Sequence, residues 1–525
     1  MKRLFQFVST ALLAVCCSGN ALDVPVVDPY DPGNGHEQIV LGRQLDDPYS
    51  VENMEKALSE VYGTKATRVP VPTSHYYVRF LPKNEKQYEM LERRGIELLD
   101  HPMDYEIVKE GDWYHDPSIP EGEITWQYAV VPKDTYLPPL VTHEVLHECY
   151  IPEDQEETKS EDGIDWAAVE RASFRLTGNG DLLDDAPQTK GGGSSTPTGR
   201  ITIVDPDLGA PEGVRGVRVA CNIFVKTAHA FTDGDGRYRM TRSFSGTPRY
   251  RLVFKNSKGF GIGLNLLLVP ASISSLGKGD ASGLDVEVTK DSDRRLFSRC
   301  VVNNAGFDYF QRCASVSPSV KTPPSNLRLW LFQGLDVSIP AMLQQGVLID
   351  NGEVGRMLGQ YSILVKLFLP DIMLGLKGKD TYASIYAEAL HAFAHGSHFM
   401  LAGRDFWDHY VRFLAKSYVS SGFTVYGVGS EEDHGYCEVA EMWAYFAQSV
   451  LFRERYGDAI AGRFGLDWWF RPQIFTNISD AGLAWQKIFQ VLGPDVTDRE
   501  VLYKKLKSYY PEYKSAINQA FATYN

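Results

Sequence analysis

Apolar positions in the last 230 residues recur at helical spacing, most clearly over residues 382–401, 405–418 and 438–452. Residues 501–521 predict an amphipathic pair broken near Pro511. Upstream the period changes. Residues 76–80 predict a strand, and 85–94 a helix with Tyr88, Leu91 and Glu92 on one face. Gly95 stops that helix and 96–99 predict a second strand, which makes one β-α-β unit. Four short segments, 199–205, 213–219, 231–238 and 250–254, are spaced regularly with Asp-Gly turns, the pattern of a small β-sandwich. Residues 18–60 are dense in Asp, Pro and Gly and predict a spacer. Gly191-Gly192-Gly193-Ser194-Ser195-Thr196-Pro197 has the composition of a flexible linker. The expected organisation is multidomain: a signal peptide over 1–17, a spacer over 18–60, an α/β region over 61–183, a linker over 184–198, an all-β sandwich over 199–290 and a mainly helical domain over 291–525.

The chain has 525 residues and a net charge of −14, which argues against broad nucleic-acid binding because phosphate attraction is cation-driven. Met1-Lys2-Arg3 is basic, and residues 4–15 form an apolar run too short to span a bilayer, the pattern of a signal peptide. The run at 363–376 is broken by Lys366, Pro370 and Asp371, so no membrane span is expected after the signal. Leu13-Ala14-Val15-Cys16-Cys17 resembles the lipobox of bacterial lipoproteins. That resemblance implies cleavage before a lipidated Cys17, with Cys16 in the small-residue position. Modification of Cys16 and ordinary cleavage after Ala21 are the alternatives. The implied location is the cell envelope, lipid-anchored and at the outer membrane, or else periplasmic or secreted. Five cysteines follow the signal, an odd number, so at least one is free or bonded to another chain; Cys300 and Cys313 are close enough in sequence to pair.

The chemistry concentrates in the run from Tyr382 to His398. His391 and His395 are one helical turn apart, so both imidazoles leave one face and can share a metal ion. With 12 His, chance alone gives about 0.3 such pairs, so the setting matters more than the spacing. Residues 371–376 predict a strand before this helix, and Glu441 or Glu438 on the 438–452 helix offers an acidic third ligand. His398 is a further nitrogen, but not at the spacing of a third ligand on the same helix.

Strand, HxxxH helix and ExxA-like helix together resemble the gluzincin branch of zinc metallopeptidases. The resemblance implies zinc held by His391, His395 and Glu441. It also implies a carboxylate general base directly after the first His, where this chain has Ala392. Glu388 lies a turn away, about 6 Å along the axis, too far to serve the same water. The segment over 199–290, with Thr232-Asp233-Gly234-Asp235-Gly236-Arg237-Tyr238, resembles the carboxypeptidase-regulatory-like (transthyretin-like) domain, whose Asp-Gly hairpin closes the sandwich. Read as a calcium loop from Asp233, the same segment has Phe244 at the twelfth position, which offers no oxygen. The whole chain resembles envelope lipoproteins that join such a module to a zincin-like domain.

A complete HExxH stands elsewhere, at His143-Glu144-Val145-Leu146-His147, with a chance expectation of about 0.02. Pro138, Pro139 and Pro152 confine it to about twelve residues, and Thr142, Val145, Cys149, Tyr150 and Ile151 favour an extended segment. In a strand, residues four apart stand about 13 Å apart, too far for one metal. That argues against a metal here, and His143 and His147 stand only as the alternative ligands. The cluster Asp467-Trp468-Trp469-Phe470-Arg471 reads as core packing, with a sugar-stacking platform as the alternative. The leading expectation is an exported, lipid-anchored protein with a metallopeptidase-like domain impaired in hydrolysis, acting in binding or scaffolding, with a protein, peptide or glycan partner at the envelope. An active zinc metallopeptidase and a metal-free adhesion or glycan-binding lipoprotein are the alternatives.

Overall fold

A computed structural model describes residues 38–524 apart from 64–68, 121–122, 153–162, 184–193, 264–270, 335–336, 349–368, 421–425, 458–459 and 461. The expected signal peptide, Cys17 and most of the Gly/Ser linker lie outside the described residues. The described chain has an N-terminal α/β region, several β-sheets and a helical C-terminal region. Among the described residues no helix is long and apolar enough to cross a membrane.

The N-terminal region departs from the β-α-β expectation. Its three-stranded sheet is antiparallel throughout, with His75–Leu81 between Gln127–Pro132 and Thr142–Cys149. The helix Glu85–Arg93 forms where expected, capped by Asn84, whose Oδ1 accepts from Gln87 N at 3.1 Å. After Gly95, at φ 76°, only Leu99 pairs, in an isolated bridge to Tyr128. The segment thus touches the free edge of Gln127–Pro132 at one residue and forms no ladder there. The expected spacer is also folded from Val40 on: Val40–Gln44 pairs with Tyr105–Lys109, and the helix Val51–Tyr62 buries Met54, Ala57 and Leu58. Its Asp and Pro density marks turns and a cap rather than a solvated leader.

The central region has two sheets. One places Thr198–Val204 against Arg237–Arg239, Pro211–Gly213 and, in parallel, Val286–Val288. The other runs Lys226–Phe231, Val217–Ile223, Arg249–Asn256, Gly261–Ile262, Arg328–Phe332, Ile372–Gly375, with Ile273–Lys278 also on Arg249–Asn256. The Asp233 segment is a tight turn: its Oδ1 accepts from Asp235 N at 2.9 Å and Arg237 N at 2.8 Å. It is not a hairpin, because the strands on either side of it belong to different sheets. At Gly236 a Cβ would meet Ile201 O at 2.1 Å, so only glycine lets the turn approach the sheet.

The second sheet continues past residue 290, since Arg328–Phe332 and Ile372–Gly375 add to it in parallel. The helix Arg294–Ser315 packs between the central sheets and the C-terminal helices. Its buried Asn304 donates to Gly213 O at 3.0 Å and accepts from Arg215 N at 2.9 Å. Cys300 and Cys313 both ride this helix, thirteen residues and so about 20 Å apart, which rules out the expected pair. All five cysteines after the signal are buried and free.

In the C-terminal region Tyr382–Ser420 is two helical segments broken at Gly403, whose φ of 84° and ψ of 177° suit glycine alone. His434–Tyr456 packs along it; Trp443 Nε1 donates to Ala394 O at 3.1 Å and Gln448 Nε2 to Ala387 O at 2.9 Å. Arg499–Tyr509 and Lys514–Thr523 form the final pair around Pro511. One continuous apolar core runs from Tyr49 and Tyr77 through Phe254 and Phe393 to Phe521.

Candidate metal centre

Two polar ties fix the HxxxH helix before its chemistry begins. Tyr382 donates to Glu212 Oε1 at 2.5 Å and Tyr386 to Asp308 Oδ2 at 2.9 Å. Arg455, near the end of the facing helix, reaches Asp205 at 2.8 Å and Glu212 at 2.6 Å. Both helices are thus held against the same corner of the central region. At the crossing with Arg294–Ser315, Gly306 leaves room for Phe393: a Cβ there would stand 2.5 Å from its ring.

On that scaffold His391, His395 and Glu441 converge, all buried, with one ligand atom from each within 4.8 Å of the others. The two Nε2 atoms stand 3.0 Å apart, and each is 3.4 Å from a Glu441 oxygen. A tetrahedral metal with bonds of about 2.0–2.1 Å separates its ligand atoms by about 3.3–3.4 Å, so the spacing fits without backbone movement. It is the one such group of three among the described residues. Neither Nδ1 nor Glu441 Oε2 has a hydrogen-bond partner in the protein. Two imidazole nitrogens turned towards each other in the interior need a proton or a cation between them.

The surroundings favour the ligand protonation states. Burial lowers the proton affinity of His395. Burial alone would raise Glu441, but His395 and His391 beside it outweigh burial and hold its carboxyl well below the ordinary range. A neutral imidazole and an ionised carboxylate are what a metal ion requires. Tyr410 donates to Glu441 Oε1 at 2.6 Å and stacks on His395, with centroids 5.8 Å apart. Tyr445 packs on His391 at 4.3 Å. These two tyrosines are the supporting groups that sequence reasoning missed. Tyr445 follows Glu441 by one turn and so shares its face; nothing in the 405–418 pattern singles out Tyr410.

The other candidates do not join the group. Ala392 is buried and carries no proton acceptor. Glu388 accepts from Ser338 at 2.5 Å and pairs with Lys379 at 3.2 Å. Glu438 pairs with Arg499, leaving Glu441 as the acidic member. His398 sits among the rings of Phe406 and Trp407, and burial pushes its pKa down to about 3.

His143 and His147 lie on the strand Thr142–Cys149. A bulge between Val145 and His147 sets His143 opposite Phe80 and His147 opposite Tyr77. Phe80 and Tyr77 are three apart, so the two imidazoles point to opposite faces of the sheet. Glu144 pairs with Arg79 at 2.5 Å. In the aromatic cluster Phe470 is buried and Trp469 donates to Tyr426 O at 2.9 Å, while Trp468 is 37% exposed. No family model, curated protein or solved structure matches this chain.

Proposed function

We propose that the protein is an exported, lipid-anchored envelope protein whose helical region is a zincin-like domain. It is impaired in hydrolysis and acts by binding a peptide or protein partner. One observation carries the reading: His391, His395 and Glu441 converge in the interior, with a buried alanine where the gluzincin pattern has its base. Two imidazoles and one carboxylate are the donor set of catalytic zinc sites. A bound zinc ion supplies Lewis-acid polarisation and a water of lowered pKa.

The chain's own residues then decide the rate. Ala392 holds no proton, and Glu388 is committed to Ser338 and Lys379. Loss of a general base costs about 10²–10⁴ in rate. The triad's side chains are 6%, 1% and 0% exposed, so a peptide bond reaches them only by displacing what covers them. The two-sheet module fits a transthyretin-like spacer, and the N-terminal run fits a lipoprotein signal.

Metal analysis of the purified protein tests this reading. About one zinc per chain is expected, lost in His391→Ala. Ala392→Glu should gain chelator-sensitive peptidase activity, although filling a buried site costs about 1–3 kcal/mol of stability. Robust chelator-sensitive proteolysis by the unaltered protein overturns the impaired-hydrolysis reading. Incorporation of labelled palmitate, lost in Cys17→Ser, tests the anchor.

A further inference from the structure

The face of the seven-stranded sheet that meets the N-terminal region carries four cations, Arg218, Arg249, Arg251 and Lys255. Arg251, Ala220 and His229 stand in one row across three strands. Arg218 lies two positions from Ala220 and Arg249 two from Arg251, so all share the face. Most of these charges are answered from the N-terminal side. Glu97 pairs with Arg218 and His229, Glu110 with Arg249, and Glu92 with Lys255 at 3.0 Å.

Arg251 is the exception. Arg251 is 8% exposed, and among the described residues its side chain makes one hydrogen bond, from Nη1 to the amide oxygen of Asn222 at 2.7 Å. Its Nε has no partner. Asp100, on the opposing side, spends its carboxylate on His101 at 2.8 Å and on Tyr114 N at 2.6 Å. A guanidinium does not shed its proton to relieve such a position. Arg251 and Arg218 line a cavity of about 180 Å³ between the sheet and the segment 95–103; its walls also carry Glu92, Glu97 and Asp100, whose carboxylates are engaged by Lys255, by Arg218 and His229, and by His101 and Tyr114 N.

We propose that this cavity binds a small oxyanion, a carboxylate or phosphate group, on the Arg251 fork, with Arg218 beside it. A buried cation with unmet donors is completed by an anion, and the planar fork matches two oxygens of one head group. The volume is well below the roughly 300–1,000 Å³ of drug-sized sites, which restricts the ligand to a small molecule. The site is separate from the histidine pair and stands whether or not metal binds there.

Thermal unfolding of the intact protein tests it, with inorganic phosphate or succinate titrated against chloride at matched ionic strength. At least one of the two should raise Tm saturably by about 2–4 °C, and the effective one identifies the head group. Arg251→Met should abolish the response while keeping the Tm in chloride no lower than the parent's. Arg251→Lys, which keeps the charge but loses the fork, should weaken the response at least tenfold and carries the test if Met is not tolerated. Arg249→Gln, on the same face but paired with Glu110, should leave the response intact. No response to either anion beyond chloride, or an undiminished response in both Arg251 variants, overturns the proposal.

Discussion

His143 and His147 stand four residues apart on a strand; His391 and His395 stand four residues apart on a helix. On the helix, four residues is close to one turn and both Nε2 atoms meet at 3.0 Å. On the strand the same interval crosses a bulge, and the two rings part to opposite faces. The strand motif even keeps its glutamate, but Glu144 pairs with Arg79. Spacing in a sequence thus acquires chemical meaning only through the backbone that carries it. Tyrosines pack on histidines in both regions: Tyr77 on His147, and Tyr445 on His391 and Tyr410 on His395. Only Tyr410 sends its hydroxyl to the carboxylate of the group.

The sharpest break of this comparison is a ligand deletion in each region. His395→Ala should lower metal affinity more than 100-fold, beyond the roughly 10–100-fold cost of losing a supporting group. His147→Ala should leave it unchanged. Competition with a chromophoric chelator reads both, and equal effects would undo the assignment. Next in size are the tyrosines. Tyr410→Phe removes the donor to Glu441 and should weaken metal binding about 10–100-fold. Tyr77→Phe leaves metal binding alone. It strips Asp104 of a donor at 3.0 Å and Met103 N of an acceptor at 2.8 Å, so denaturant unfolding should show a loss of about 1–3 kcal/mol.

The residues themselves explain which expectations were legible. The long helices at 382–401, 405–418 and 438–452 come from sustained periodicity, and Gly403 marks the break where the pattern pauses. The two histidines and Glu441 follow from helical azimuth, which is local information. The prolines around His143 signal its extended backbone, again locally. What the sequence conceals is pairing between distant segments. Ile96–Leu99 has strand composition but finds only the bridge at Leu99. Arg328–Phe332 and Ile372–Gly375 join the second central sheet in parallel, so the boundary expected at 290 cuts a sheet in the structure. The Arg251 cavity depends on two regions meeting, and no window of sequence contains both sides.

A difference in pH dependence separates two buried carboxylates, one in each region. Glu441 sits between histidines that hold it ionised, so its contribution is present above the ordinary carboxylate range and is lost only in strong acid. Asp47, at the foot of the silent motif's strand, lies 4.0 Å from the Cys149 thiol and is 3% exposed. Burial pushes its pKa up to about 7, helped by Asp104 and Asp46 and opposed by the hydrogen bond from Tyr49 N. The sign is opposite to that of Glu441. Between pH 4 and 7 the native state holds a proton that the unfolded chain has released, so stability from this group falls as pH rises through that window. Asn in place of Asp47 can still accept from Tyr49 N, which donates at 2.9 Å, and has no proton to lose. Asp47→Asn should therefore gain on the parent as pH rises from 4 to 8, by up to about 4 kcal/mol. Urea unfolding across that range reads the difference. A constant offset would mean that Asp47 is ionised in the native state.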